Sequence, residues 1–165
     1  GGWGWRGERT IARWYTMYAT IIQCRSWLPN EIGGLVWLAW DNVATSIYAP
    51  FYSGITRVHK TSSTPGRVNG YTKESAWWAF NRLGTLAAQR WGDMRYDVRA
   101  VWDPMQAELF EKQEPFEKEA LELWGTSREK AKEFITDYCY QLQVKIVQRA
   151  WNLGDELWTK YDEKF

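Results

Sequence analysis

Few side chains in this sequence could do chemistry, and they are widely spaced. His59 is the only histidine among 165 residues, and Cys24 and Cys139 are the only cysteines. One histidine cannot furnish a two-histidine zinc site, and no metal is expected. A Ser/His/Asp triad would have to use His59, which stands at the lip of a polar loop with no Gly-x-Ser-x-Gly nearby. An ordinary exposed histidine is the expectation. Cys24 lies among apolar residues without a histidine beside it to favour the thiolate, so both thiols are expected to be free and buried. Carboxylates between Glu108 and Glu122 alternate with lysines, the pattern of a solvated helix face. Residues 1–7 are rich in glycine but have neither a preceding strand nor a following helix, so they do not make a phosphate loop.

The polar residues that stand out are Arg9, Gln23, Arg25, Asp41, Asn42, Thr45 and Ser46. Arg9 and Arg25 flank a mostly apolar stretch, where a guanidinium needs a carboxylate or a ligand as its partner. A salt bridge at the end of a sheet meets that need as well as a substrate would. Asp41 to Ser46 falls between two apolar runs, where Asp, Asn and Thr also occur simply because they make turns.

The elements that position these residues follow from periodicity. Leu35 to Trp40 and Ile47 to Tyr52 flank DNVATS and predict an antiparallel pair, with Pro50 placing the second arm at an edge. From Glu8 to Trp27, β-branched and aromatic residues run without Gly or Pro, and both alternating faces are largely apolar. One long strand or two consecutive ones, covered on both sides, are expected. Thr61 to Gly70 reads as a loop. Helical spacing then takes over, with Thr72 as the candidate N-cap of the first helix. Asp103-Pro104 is expected to kink the second helix or start a new one, and Thr126 to Glu129 has capping-box spacing ahead of the last. That last helix carries Ile135, Cys139, Leu142, Ile146, Ala150, Leu153 and Leu157 on one stripe. Strands followed by helices make an α+β domain, with a β portion over 1–60, a loop over 61–70 and a helical portion over 71–165. All of it is expected to be one domain or the C-terminal part of a larger one.

Composition limits the partners. Lys plus Arg number 21 against 20 Asp plus Glu, so no global field draws the chain to nucleic acid or an anionic membrane. No apolar run reaches the length of a membrane span, and the compartment stays open between cytoplasmic and periplasmic or secreted. The 13 tryptophans suit core and interface, but they also suit a module that stacks ligands on exposed indoles.

Residues 23–34 (QCRSWLPNEIGG), 35–55 (LVWLAWDNVATSIYAPFYSGI) and 73–91 (KESAWWAFNRLGTLAAQRW), with ERTIA at the start, occur in this order. Together they resemble the C-terminal half of the N-terminal-nucleophile cysteine dipeptidases, the dipeptidase A family to which the secernins are related. The resemblance covers most of residues 8–100; residues 103–165 match only as a helical tail. It implies a four-layer αββα sandwich that hydrolyses dipeptides without a cofactor, through an N-terminal cysteine whose own α-amino group is the base. Such a base needs no histidine. The chain opens on Gly1 and neither cysteine is terminal, so it is expected to be a C-terminal fragment or subunit, inactive alone, with the nucleophile on a missing N-terminal half. That half, a small peptide substrate and a further copy of the chain are the expected partners. Within this setting Arg9 and Arg25 are candidates for orienting the substrate carboxylate or the nucleophile, and Asp41, Asn42 and Thr45 for lining the site. The alternative is a non-catalytic, Trp-rich binding or scaffold module. It would expose several tryptophans on one face, whereas the dipeptidase reading buries most of Trp14, Trp37, Trp40, Trp77 and Trp78.

Overall fold

The computed structural model describes residues 11–13 and 15–164. Three strands, β1 (Tyr18–Cys24), β2 (Gly34–Trp40) and β3 (Ala49–Tyr52), form an antiparallel sheet in that order. One helical turn after Pro29, α1 (Asn30–Gly33), joins the first two strands, and a 3-10 turn over Val43–Thr45 joins the next two. A short α2 (Lys60–Ser63) precedes three longer helices, α3 (Ala76–Gln89), α4 (Trp91–Thr126) and α5 (Arg128–Tyr161). The fold is α+β.

The hairpin lies where alternation placed it, with Leu35 opposite Tyr52 and Trp37 opposite Pro50. β3 is an outer strand of the described sheet, where the missing donor of a proline is tolerated. The first strand, by contrast, is much shorter than its composition suggests. β2 offers seven residues to pair with, and the chain leaves the sheet at Asp41. Residues just before Tyr18 turn instead, the Thr16 amide donating to the Arg13 carbonyl at 3.0 Å. Nor is β1 covered on both faces: Tyr18, Thr20, Ile21, Ile22 and Cys24 are all exposed. Cys139 alone is a buried thiol.

Side-chain alternation shows which face the helices cover. Gln23, Trp37 and Tyr52 share one face and all reach α4: Gln23 is hydrogen-bonded to Gln113, Trp37 packs edge-on against Phe110, and Tyr52 reaches Glu117. The other face presents Tyr18, Thr20, Ile22, Val36, Leu38 and Phe51, none of which is buried, and also the buried Ala49 and Trp40, where Phe80 of α3 stacks on the Trp40 ring. Ile22, Val36 and Phe51 lie side by side across the three strands.

The helices differ from expectation mainly at their ends. α3 begins at Ala76 after Ser75, while Thr72 accepts from the Glu74 amide one turn earlier. α4 runs unbroken through Pro104 and Pro115, its buried Trp102, Leu109 and Phe116 holding it against the core on both sides. Ser127, not Thr126, caps α5 by accepting from the Lys130 amide. The α5 stripe is buried as expected except for a half-buried Leu142. His59 is half-buried, not freely exposed: Nδ1 accepts from the Thr61 amide and the ring stands edge-on to Tyr140. Trp37, Trp40, Trp77, Trp102 and Trp151 are buried and Trp78 half-buried. Trp14 lies outside the described residues. Among the described residues Trp27 and Trp158 are the exposed indoles.

Candidate functional site

The chain turns sharply at the Trp40 end of β2. Asp41 has φ 56°, a left-handed conformation that Asp tolerates better than most side chains. Its amide still reaches back to the Met17 carbonyl at 2.9 Å, so the first strand enters beside it. Asn42 then caps the 3-10 turn. Its Oδ1 accepts from the Ala44 amide at 3.0 Å, and its carbonyl accepts from the Thr45 amide and hydroxyl at 3.0 and 3.2 Å. The Thr45 carbonyl in turn accepts from Trp102 Nε1 at 3.0 Å.

Helix α3 closes over this turn because position 84 is glycine. A Cβ there would stand 3.0 Å from Thr45 Oγ1 and 3.4 Å from Asp41 Oδ2. A glycine inside a helix costs about 1 kcal/mol relative to alanine, and here the close approach accounts for it. The result is a carboxyl group only 3% exposed, which accepts from Asn81 Nδ2 at 3.1 Å and has no salt bridge among the described residues. Burial pushes its pKa up. The bonds from Asn81 and the Asn42 backbone and the positive charge of Arg67 offset that only in part. Such a carboxyl can take up a proton or receive a cation brought by a ligand.

A second buried polar cluster lies at the opposite end of β2. Arg25 Nη1 donates to both oxygens of Glu117 at 2.6 Å, Nη2 to the Ile32 carbonyl at 2.8 Å and Nε to the Gly33 carbonyl at 3.3 Å. Glu117 also accepts from Tyr52 at 2.8 Å and from Gln113 at 3.0 Å. Gln113 continues the network to Gln23, and Gln23 to Trp37 Nε1. This is the salt bridge at the sheet end, and it holds α4 against all three strands.

The structure therefore brings Asp41, Asn42 and Thr45 together and sets Arg25 apart from them. β2 separates the two groups by its seven residues, about 20 Å of extended chain. Arg9 lies outside the described residues. Asn81, Gly84, Gln113 and Glu117 were not legible as neighbours of these groups, because each is supplied by a helix distant in sequence. Neither cysteine is prepared for nucleophilic work: Cys139 is buried and its thiol pushed up to about 12, and Cys24 is exposed on the open face of the sheet.

The sequence pattern of peptidase family C69 matches residues 5–104, which is more than half of the chain. The chain belongs to peptidase family C69. No curated protein matches it significantly. The C69 segment contains the whole Asp41 turn and everything that holds it: Met17, Asn81, Gly84 and Trp102. Arg25 also falls within it, but its carboxylate partner Glu117 lies beyond, as does Gln113, which bonds that carboxylate.

Proposed function

We propose that this C69 chain is the C-terminal part of a dipeptidase, and that its nucleophilic cysteine is carried by a preceding part. The observation that carries this reading is the open sheet face bearing Tyr18, Ile22, Val36, Leu38 and Phe51. One face of the sheet is closed by helices, and the other, outside the Trp40 end that Phe80 of α3 covers, offers apolar side chains to a second sheet, as a four-layer αββα sandwich requires. The state of the two cysteines supports the same conclusion, since neither a buried thiol nor one without a neighbouring base would serve.

In the assembled enzyme the terminal thiol attacks the peptide carbonyl, its proton passing to the α-amino group of the same residue. That group then protonates the departing amine, and water hydrolyses the thioester. This chain supplies the groups that receive the substrate. Asp41, backed by Asn42 and Thr45, meets the substrate's α-ammonium with a carboxylate that has no salt-bridge partner among the described residues. Arg9, which precedes the first strand in sequence, is the candidate for the carboxylate. Arg25, already held by Glu117, acts through the stability of the fold.

The test is intact-mass analysis of the natively purified protein, followed by a dipeptide hydrolysis assay. Equal amounts of this chain and of a chain beginning with Cys, with activity abolished by thiol alkylation, are expected. A protein that remains a folded single chain, with its sheet face protected from hydrogen exchange and no hydrolysis, would overturn the proposal.

A further inference from the structure

The exposed side of α5 carries an unusual distribution of charge. Positions 129, 133, 137, 141, 145 and 149 form one row at four-residue spacing, occupied by Glu129, Glu133, Asp137, Gln141, Lys145 and Arg149. All are exposed except the half-buried Arg149. Charges of like sign four residues apart oppose helix formation, yet this row places three acids in succession and then two bases. α4 does the reverse, pairing Arg99 with Asp103 and Glu108 with Lys112 at the same spacing. Local partners relieve only part of the α5 pattern: Asp137 meets Arg57 and Arg149 meets Glu156. Glu133 and Lys145 make no salt bridge among the described residues.

The row is complementary to itself when reversed. About Gln141, Glu133 lies opposite Arg149 and Asp137 opposite Lys145. Rows at this spacing are also the ridges by which helices interdigitate. Grooves to receive them run between α5 and α4. One of about 390 Å³ is lined by Phe116, Phe134, Tyr138 and Leu142, and a second of the same size by Val101, Met105 and Val144. The first is walled by rings already packed on one another, Phe116 lying 3.9 Å from Tyr138 between centroids.

We propose that this face of α5 is the interface of a two-fold symmetric dimer. A second copy of the chain lies antiparallel across Gln141, with Asp137 on the partner's Lys145 beside the axis and Glu133 toward the partner's Arg149 farther out, since the row turns about 40° around the helix at each step. Such a contact is isologous, so each of the two pairings occurs twice.

Sedimentation analysis of the natively purified protein tests this with two charge-reversed variants, Glu133→Lys/Asp137→Lys and Lys145→Glu/Arg149→Glu. Each alone faces like charge across the axis and is expected to weaken dimerisation by about tenfold or more. Mixed, they regain every opposite-sign pairing and are expected to dimerise as the parent does. Circular dichroism establishes that each variant folds. A Gln141→Cys variant in a Cys24→Ser background gives an independent reading: residue 141 meets its own copy, so oxidation is expected to link two chains, whereas Cys24→Ser alone stays unlinked. A monomeric parent, unaltered dimers in both variants, a mixture that fails to recover, or no cross-link at 141 would each overturn the proposal. So would recovery of the charge row by the Cys-led chain in place of a second copy.

Discussion

At the Gly34 end of β2 a guanidinium and a carboxylate satisfy each other and are further bonded by Tyr52, Gln113 and two carbonyls. At the Trp40 end a carboxyl is buried more deeply, with an amide from Asn81 and no salt bridge among the described residues. Both clusters tie a helix to the same strand. They differ in what remains for a ligand: the first has its charges matched, while the second keeps a carboxyl whose pKa burial has raised. Deleting a partner from the matched cluster should therefore always cost stability, whereas neutralising the unmatched acid should not.

The largest effect is expected from Arg25→Met. It leaves Glu117 buried without its cation, and breaking a buried pair costs about 3 kcal/mol or more. Removing both charges in Arg25→Met/Glu117→Leu should restore part of that loss, which a double-mutant cycle on urea midpoints measures. If Arg25→Met lowered hydrolysis in the assembled enzyme with stability unchanged, Arg25 would belong to substrate binding after all. Next in size is Tyr52→Phe, which removes one donor from the same carboxylate. A hydrogen bond to a charged group is worth about 1.5 kcal/mol, and the thermal midpoint should fall accordingly.

At the other end Gly84→Ala sets two effects against each other. Alanine favours the helix by about 1 kcal/mol. Its methyl group, however, would press on Thr45 Oγ1 at 3.0 Å, and that hydroxyl is fixed by the Asn42 carbonyl. The turn cannot retreat without losing its own bonds, so the net change should be a loss of about 1 kcal/mol, read from the urea midpoint. A gain in stability would mean that the turn is looser than the bonding implies.

The two ends also differ in how far the sequence could reveal them. DNVATS between two alternating runs fixes the Asp41 turn locally, since the turn residues and the strands they join are adjacent in the chain. The Arg25 cluster is not local: Glu117 is 92 positions away, on a helix whose phase against the sheet no periodicity specifies. The overestimate of the first strand has a related cause. Aromatic and β-branched residues indicate that a segment can be a strand, but its length is set by what pairs with it, and β2 offers seven residues. Pro104 illustrates the opposite error, a local rule overridden by packing, because Trp102 and Leu109 anchor α4 on either side of it. Cys24 was placed correctly in a strand and wrongly in the core, since alternation assigns a face without saying whether anything covers it.

The smallest effect distinguishes the ends most sharply. Burial raises the Asp41 pKa above its unfolded value of about 3.9. Between those two pH values the folded chain holds more protons than the unfolded one, so this residue makes stability fall as pH rises through that window. Below it the contribution is unchanged. Asp41→Asn keeps an acceptor for Asn81 and tolerates the left-handed backbone, and it removes the ionisation. Its urea midpoint should match the parent's at low pH and exceed it increasingly as pH rises, levelling off once the native carboxyl has ionised. Parallel profiles would show that Asp41 is already matched by a charge and has nothing left to offer an ammonium group. With divergent profiles, a dipeptide bound at Asp41 should narrow the gap in the assembled enzyme, because its cation favours the ionised carboxylate that burial opposes.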